Sequence, residues 1–345
     1  PRSTPKPSSA ASDVYKRQIL DIVVSEKGKR GHLNFNHQTV GTEPMGHILD
    51  NIQLKNSLIS SIRSQKNIQL FPFKSLNNFF PDTGAVTVDL NDGTSYEAAL
   101  LVAADGRNSA GRRIAKIKDT NINYNQSSIV FTVSHEKPHK GTAYEQFTTG
   151  GPIAFLPMRG NQSSVVWSED TEVVKSLMQL DDKDFAAAAS YRLNDCLGEM
   201  AIIGQRKIFP LKLNYADTII ADRFAMVGDA AHGLHPIAGQ GFNLGLRDIA
   251  NLTEEISKAR RLGLDIGSFE ILRSYQATRR LDNFSLVAAT DGLNRIFSNS
   301  NKIVRSIRSN GLDVINTIDP LKNLFMELAM GEVGSLPVLL KGKLP

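Results

Sequence analysis

The sequence is short of two features that would define its class directly, cysteine and long apolar runs. Its 345 residues include a single cysteine, Cys196, so neither an internal disulfide nor a cysteine-rich zinc site can form. Its longest apolar stretches, at 98–104 and 219–227, are far shorter than the roughly 20 residues that span a bilayer. These absences exclude a disulfide scaffold, and they predict a cytoplasmic setting without a membrane-spanning segment.

Neither sign of charge dominates the composition. There are 40 Lys and Arg against 35 Asp and Glu, which gives a net charge of +5. This excess favours anionic surfaces, but it is spread along the chain and forms no basic arm of the kind that binds nucleic acid. His232 and His235 lie three residues apart without a cysteine partner. We therefore predict neither nucleic-acid binding nor a metal site.

Apolar spacing predicts a mixture of strands and helices, because strands alternate every two residues and helices repeat every three or four. In the first third of the chain the predicted elements are a β-hairpin from Ile19, a helix between Gly46 and Ser64, a strand at 68–73, a hairpin at 86–96 and a strand buried on both faces at 98–104. The later elements are antiparallel strands at 129–133, 153–156 and 163–167, a helix at 182–197, a buried strand from Phe224 and helices from Leu244 onward.

The first group of residues suited to ligand binding follows the strand predicted at 98–104. It reads Asp105-Gly106-Arg107-Asn108-Ser109-Ala110-Gly111-Arg112. An acidic residue and a glycine at the carboxyl end of a strand lie where α/β proteins bind ligands, because the chain turns sharply there and exposes backbone amides. Asp-Gly is also a common turn sequence, so a plain turn remains the alternative for this motif alone.

The second group is more specific and begins where the strand from Phe224 ends. It comprises Gly228-Asp229-Ala230-Ala231-His232 and the stretch 235–245 that leads into a helix. The Asp229 carboxylate can accept hydrogen bonds from ligand hydroxyls, and the two alanines leave room for a bulky group. Gly239 and Gly241 permit close approach, and the first amides of the helix carry the positive end of its dipole. The pattern predicts an anion-accepting site, with a structural glycine-rich turn as the alternative.

Together the two groups resemble a known family. Asp105-Gly-x-x-Ser109-x-x-Arg112 resembles the DG motif, and the stretch from Gly228-Asp229 to Asn243 the GD motif, of class A flavoprotein aromatic hydroxylases. The stretches 143–158, 235–248 and 275–282 are similar to those of ubiquinone-biosynthesis hydroxylases, especially the 2-polyprenyl-6-methoxyphenol hydroxylase branch. The resemblance covers about residues 19–330.

This resemblance implies an α/β fold in which a discontinuous, Rossmann-like FAD-binding domain is interrupted by an antiparallel-sheet substrate domain and followed by C-terminal helices. The implied division is a non-native or disordered prefix (1–18), a hairpin and partial FAD-binding domain with the DG motif (19–118), the substrate-domain sheet (119–220), the FAD-binding domain with the GD motif (221–262) and a C-terminal helical region (263–345).

The activity that the resemblance implies is hydroxylation of the aromatic ring of a polyprenylated phenol in ubiquinone biosynthesis, with FAD, NAD(P)H and O2. The implied cofactor-binding residues are Asp105, Gly106, Gly228, Asp229, Pro236, Gly239, Gln240, Gly241 and Asn243. Candidates for an apolar substrate wall are Phe147, Pro152, Phe155 and Pro157. No catalytic acid or base is identified. The alternatives are an aromatic hydroxylase of a soluble phenol and a non-catalytic subunit of a lipid-biosynthesis complex.

The sequence departs from the family in one respect. The G-x-G-x-x-G turn that cradles the FAD pyrophosphate near the start of these enzymes occurs nowhere in it. We therefore expect that the N-terminal part of the FAD-binding domain is missing, and that this chain alone binds FAD weakly and is inactive.

A basic edge borders an apolar stripe near the C-terminus, as in helices that rest on anionic membranes. Its residues are Lys302, Arg305 and Arg308 beside Ile303, Val304 and Ile307. Given a lipid substrate, this predicts peripheral association with the inner membrane, where proteins of a ubiquinone-biosynthesis complex are expected partners. An ordinary solvated helix face is the alternative.

Overall fold

The computed structural model describes residues 16–26, 32–39, 44–148, 150–233, 241–280 and 336–345. The chain divides into two compact units. The antiparallel-sheet unit comprises 1–70, 125–210 and 295–326, and the parallel-strand unit comprises 71–124, 211–294 and 327–345. Within the described ranges, none of the helices combines the length and apolar character needed to traverse a bilayer.

In chain order the strands are β1 (Lys16–Ile19), β2 (Asp21–Glu26), β3 (His32–Asn36), β4 (Gly46–Leu49), β5 (Leu76–Pro81), β6 (Val86–Leu90), β7 (Ser95–Ala98), β8 (Leu101–Ala103), β9 (Asp119–His135), β10 (Thr142–Thr148), β11 (Gly151–Pro157), β12 (Gln162–Asp170), β13 (Met200–Ala216), β14 (Ile220–Ala221), β15 (Phe224–Met226) and β16 (His232–Gly233). The helices are α1 (Asn51–Ser64), α2 (Ala110–Ile114), α3 (Thr171–Leu177), α4 (Asp182–Arg192), α5 (Gly241–Arg261) and α6 (269–280), and short 3-10 turns lie at His37–Thr39, Gly228–Ala230 and Val338–Lys341.

The antiparallel-sheet unit is organised around the strands that the sequence predicted there. Strand β9 pairs with β12, β12 with β11 and β11 with β10, all antiparallel. Alternate residues of β9, namely Ile129, Phe131 and Val133, are buried in the same core as Phe185 of α4. Period-two alternation therefore located this sheet correctly, since one of its faces packs on α3 and α4.

The hairpin predicted from Ile19 is present as β2 and β3, but it belongs to the antiparallel-sheet unit. Strand β2 pairs in parallel with β10, so the hairpin extends the sheet. Lys16–Ile19 forms β1 and pairs with β4, although residues 16–18 were assigned to the prefix. Residues 1–15 lie outside the described ranges.

The parallel-strand unit contains the Rossmann-like part of the fold. Strand β15 pairs in parallel with β8 and antiparallel with β14, while β5, β6 and β7 form a separate antiparallel sheet. Its core combines Phe224, Ala225 and Met226 of β15 with Leu252 of α5 and Tyr275 of α6. The predicted α/β fold, with a discontinuous unit interrupted by an antiparallel sheet, is confirmed. The inserted stretch is 125–210, against the expected 119–220.

Three local predictions were wrong. The helix expected from Gly46 starts at Asn51, because Gly46–Leu49 pairs as β4 and the Asp50 side chain caps the helix by accepting from the Ile52 N–H. Residues 68–73 form no strand; their apolar side chains are exposed, and the strand begins at Leu76. The stretch 98–104 has only three strand residues, and Val102 is 40% exposed, so it is not buried on both faces.

Candidate functional site

The two motifs meet because their strands are parallel neighbours. Leu101, Val102 and Ala103 pair with Phe224, Ala225 and Met226, and the Val227 N–H donates to the Ala103 carbonyl at 3.0 Å. Both strands therefore end at the same edge, which is the usual ligand position in α/β folds. The structure thus brings together the Asp105 and Gly228 turns, which lie 123 positions apart in the sequence (228 minus 105).

The Asp105 carboxylate is used mainly to shape its own loop. Its Oδ2 accepts hydrogen bonds from the backbone N–H groups of Ala110 (2.7 Å) and Gly111 (3.1 Å) at the start of α2. Partial burial raises the pKa of Asp105, but hydrogen bonds from Ser109 and these amides outweigh that effect, so the pKa is lowered overall. Gly106 has φ +79°, which favours glycine, and the space beside its Cα is open.

Arg112 ties the Asp105 loop to the Asp229 turn. This buried side chain donates from Nη1 to the Ala230 carbonyl at 2.7 Å and from Nη2 to the Arg107 carbonyl at 2.8 Å. It also forms an ion pair with Asp119 at 3.3 Å. In the sequence Arg112 is only the last letter of a motif; its role as a connector depends on a contact across 118 positions.

Asp229 is the most available acidic group at this edge. Its side chain is 48% exposed, and its Oδ2 lies 3.7 Å from the Arg107 Nε. The preceding residue, Gly228, has φ +60°, which favours glycine. The turn also packs closely against α5, because a Cβ on Gly245 would lie 3.3 Å from the Gly228 Cα. Ala230 and Ala231 are completely buried in the core. The prediction that these two alanines leave room for a bulky ligand group is wrong, because both side chains face inward.

A buried polar group that sequence reasoning missed lies beneath this turn. Asp248 of α5 accepts from the Gly228 N–H at 2.9 Å and from His232 Nε2 at 2.6 Å through Oδ2, and from Arg279 Nε at 2.7 Å through Oδ1. All three side chains are at most 1% exposed. One signal in the sequence could have revealed this group. Asp248 falls among the apolar positions of the helix predicted from Leu244, and an aspartate buried at such a position almost always has charged or hydrogen-bonding partners.

Comparison with known proteins now identifies the family. A family model described as an FAD binding domain matches residues 16–289. The chain is 41% identical over 313 residues to ubiquinone hydroxylase UbiL of Rhodospirillum rubrum, covering 91% of this chain and 73% of that protein. The chain belongs to the FAD-dependent ubiquinone-hydroxylase family. It is also 31% identical over 330 residues to human ubiquinone biosynthesis monooxygenase COQ6, covering 83% and 70% of the two chains.

Solved structures agree with this family in fold. The p-nitrophenol 4-monooxygenase PnpA of Pseudomonas putida matches with a TM-score of 0.76 at 16% identity, covering 93% of this chain and 83% of that one. The probable FAD-dependent monooxygenase pqsL of Pseudomonas aeruginosa matches with a TM-score of 0.72 at 23% identity, covering 88% and 85%. These structures show the fold, whereas membership of an FAD-dependent monooxygenase family rests on the family model and on the COQ6 relative.

The described residues fit the FAD expected of this family. The exposed Asp229 carboxylate can accept hydrogen bonds from hydroxyl groups, and the space beside Gly241 at the start of α5 is open. The first turn of this 21-residue helix contains no acidic residue, so its dipole is free to favour an anionic group. Asn243 is exposed in the same turn. Pro236, Gly239 and Gln240 lie outside the described residues.

The four proposed substrate-lining residues do not share one face of their sheet. Phe147 and Pro152 are direct cross-strand partners, so their side chains lie on the same face. Phe155 pairs with Tyr144 on the opposite face and is fully buried in the core under α3 and α4, and Pro157 follows it by alternation. A single wall of all four residues is therefore wrong; Phe147 and Pro152 remain predicted substrate residues.

A titratable residue lies on the same face as Phe147, two positions earlier in β10. Burial raises the pKa of Glu145 from 4.5 to about 7. Its cross-strand partners are Ala154 on one side and Val24 on the other, neither of which can form a side-chain hydrogen bond. Glu145 is therefore able to hold a proton near neutral pH. The sequence did not reveal this property, because it depends on which strands lie beside β10.

Proposed function

We propose that this protein is an FAD-dependent monooxygenase that hydroxylates the aromatic ring of a polyprenylated phenol in ubiquinone biosynthesis, with NAD(P)H as reductant and O2 as oxidant. The observation that carries the proposal is the adjacency of the Asp105 and Asp229 turns at the ends of two parallel strands. The 41% identity to a ubiquinone hydroxylase supports the substrate class.

In this proposal the residues of the site bind and orient FAD. When bound, FAD supplies the redox chemistry that couples NAD(P)H oxidation to O2 activation. The Asp229 carboxylate accepts hydrogen bonds from sugar-alcohol hydroxyls, and the Asp105 loop supports the turn through Arg112. The amino end of α5 favours negative charge on the ligand, because its first amides carry the positive end of the helix dipole.

The substrate would be an apolar phenol that contacts the face of the sheet bearing Phe147 and Pro152. These two side chains are apolar and shielded from solvent, and a phenol would have to displace what covers them in order to contact this face. An apolar wall suits a prenylated ring and excludes water from the reacting centre. A soluble phenol is the alternative substrate, and a matched pair of phenols with and without a prenyl chain distinguishes them.

FAD binding is the first test. Asp229→Ala should weaken FAD binding by tenfold or more, since a hydrogen bond to a charged group contributes about 1.5–3 kcal/mol. Asp222→Ala is the matched control, because Asp222 is exposed at the opposite end of β15. Fluorescence titration with FAD measures both, in the fusion that carries the G-x-G-x-x-G unit and is described below. Equal FAD affinities for the two variants and the parent would remove Asp229 from the site.

Turnover is the second test. The chain lacks G-x-G-x-x-G, so we expect it to retain little FAD and to be inactive alone, whereas a fusion that places such a strand–turn–helix unit ahead of Lys16 should purify yellow. The fusion, given NAD(P)H, isotopically labelled O2 and a prenylated phenol, should incorporate label into the ring. A fusion that binds FAD but labels no phenol would contradict the proposed reaction and favour a non-catalytic subunit.

We further propose that the protein works at the surface of the inner membrane, because its substrate is too apolar to diffuse through water. The basic and apolar residues predicted to rest on lipid, 302–308, lie outside the described residues. Support comes from the net charge of +5 and from that sequence pattern.

A further inference from the structure

The turn that carries Asp229 is attached at both ends to one carboxylate. Asp248 Oδ2 accepts from the Gly228 N–H immediately before Asp229 and from the His232 ring three residues after it. Because an ionised carboxylate only accepts hydrogen bonds, His232 must donate from Nε2. A single oxygen atom therefore fixes the start and the end of the five-residue segment 228–232.

The position of that oxygen is itself fixed. The second oxygen of Asp248 accepts from Arg279 Nε at 2.7 Å, and Arg279 is fully buried on α6. One helical turn before it, Tyr275 donates to the Met226 carbonyl at 2.9 Å, so α6 is joined to the end of β15 as well. The arginine offsets the charge of a carboxylate that is itself fully buried.

We propose that Asp248, together with His232 and Arg279, is a positioning group that sets the orientation of the Asp229 carboxylate for FAD. This inference rests on the proposed function, in which Asp229 binds FAD. Asp248 does not contact the ligand: its side chain has no exposed surface, while the Asp229 side chain is 48% exposed. A site residue on a five-residue turn needs such support, because small displacements weaken ligand hydrogen bonds.

The first experiment is a double-mutant cycle with FAD as the probe, on the full chain fused to the G-x-G-x-x-G unit proposed above, which is expected to retain FAD. In Asp248→Asn one oxygen becomes an NH2 group, which must face either Arg279 or the Gly228 and His232 donors. We expect Asp248→Asn to weaken FAD binding about tenfold and Asp229→Ala to weaken it at least as much. The double variant should bind FAD no worse than Asp229→Ala alone.

The outcomes separate the two proposals. If the losses of Asp248→Asn and Asp229→Ala add fully, Asp248 does not act through Asp229, and the positioning role is overturned. If Asp229→Ala leaves FAD binding unchanged, the proposed cofactor site is wrong. Asp265→Asn is the matched control, since Asp265 pairs with the buried Arg223 in the same unit but does not touch the turn. It should leave FAD affinity unchanged.

A second measurement needs no bound FAD, and unchanged exchange of the β9 and β12 amides in the same variant shows that the rest of the chain remains folded. Amide hydrogen exchange of 228–232 should accelerate about tenfold in His232→Leu, which removes the donor to Asp248. His232→Gln, whose Nε2 can replace the ring donor, should restore both the slow exchange and the FAD affinity. Two results would overturn the proposal: parent-like exchange of this segment in His232→Leu, or a failure of His232→Gln to restore slow exchange. Either would mean that the hydrogen bond from His232 to Asp248 does not orient the Asp229 turn.

Discussion

Replacing Glu145 by glutamine should stabilise the protein, and more so at higher pH. The substitution keeps the shape of the side chain and removes its charge. Burial raises the pKa of Glu145 from 4.5 to about 7, so ionising it in the folded protein is costly. Ionisation at about pH 7 instead of 4.5 corresponds to at most about 3 kcal/mol at 1.36 kcal/mol per pKa unit, and Glu145 is half-buried, so solvent reduces this cost.

The direction in which stability changes with pH follows from the raised pKa of Glu145 in the folded state. Below pH 4.5 the glutamate is protonated in both the folded and the unfolded states, and Glu145→Gln should then be nearly neutral. As pH rises from 4.5 through 7, the unfolded chain ionises first and the parent loses stability. Above pH 8 the variant should therefore be more stable by up to about 3 kcal/mol.

Urea unfolding at pH 5 and pH 8, monitored by circular dichroism, measures the two free energies. Glu97→Gln is the matched control, because Glu97 also lies in a strand but has an exposed side chain. Its effect should be small at both pH values. Equal stability of the parent and Glu145→Gln at pH 8 would refute the argument, since it would mean that water or a cation reaches the Glu145 carboxylate at no cost.

Three further predictions concern other parts of the chain. Asp105→Ala should weaken FAD binding, measured by titration, less than Asp229→Ala does, because the Asp105 carboxylate serves the α2 amides; the reverse order would exchange their roles. Arg223→Met should lower the free energy of unfolding by about 3 kcal/mol, since three backbone carbonyls and Asp265 lose their donor; an unchanged urea midpoint would contradict this. Replacing the three basic residues of 302–308 by Gln should abolish the preference for anionic over neutral vesicles in co-sedimentation, at about 1 kcal/mol per charge; a parent protein indifferent to lipid charge would argue against the membrane helix.

Local patterns predicted those parts of the fold in which burial alternates regularly. Every second residue is buried over 129–135 of β9, 153–157 of β11 and 163–167 of β12. The hairpin of β6 and β7 turns at its Asn-Asp-Gly sequence, as predicted. The stretch 68–73 has equally strong apolar character, yet its residues are exposed and Phe73 adopts φ +64°. Apolar composition therefore predicted a strand for a stretch that pairs with none of the strands in the part of the chain that the structure describes.

The candidate site was predictable only to the level of its turns. Asp105-Gly106 and Gly228-Asp229 follow strands, so their place at a ligand-binding edge could be read from the sequence. The side chains that hold the turns in position, Arg112 and Asp248, act across 118, 20 and 31 positions. No local spacing rule reaches that far, because such contacts depend on which helix packs beneath which strand.

The insertion of one unit within the other has a consequence for recombination between relatives. The contacts that shape the Asp229 turn, from Arg107, Arg112 and Asp248, all lie outside the inserted stretch 125–210. A segment exchanged at these two points, within β9 and β13, would therefore carry the strands that bear Phe147 and Pro152 to a new host and leave every one of those contacts in place. One junction to match is the parallel pairing of β10 with β2, where six residue pairs join the inserted stretch to an earlier part of the chain. The inserted stretch can in this way be exchanged as one segment, while the Asp105 and Asp229 turns are inherited unchanged.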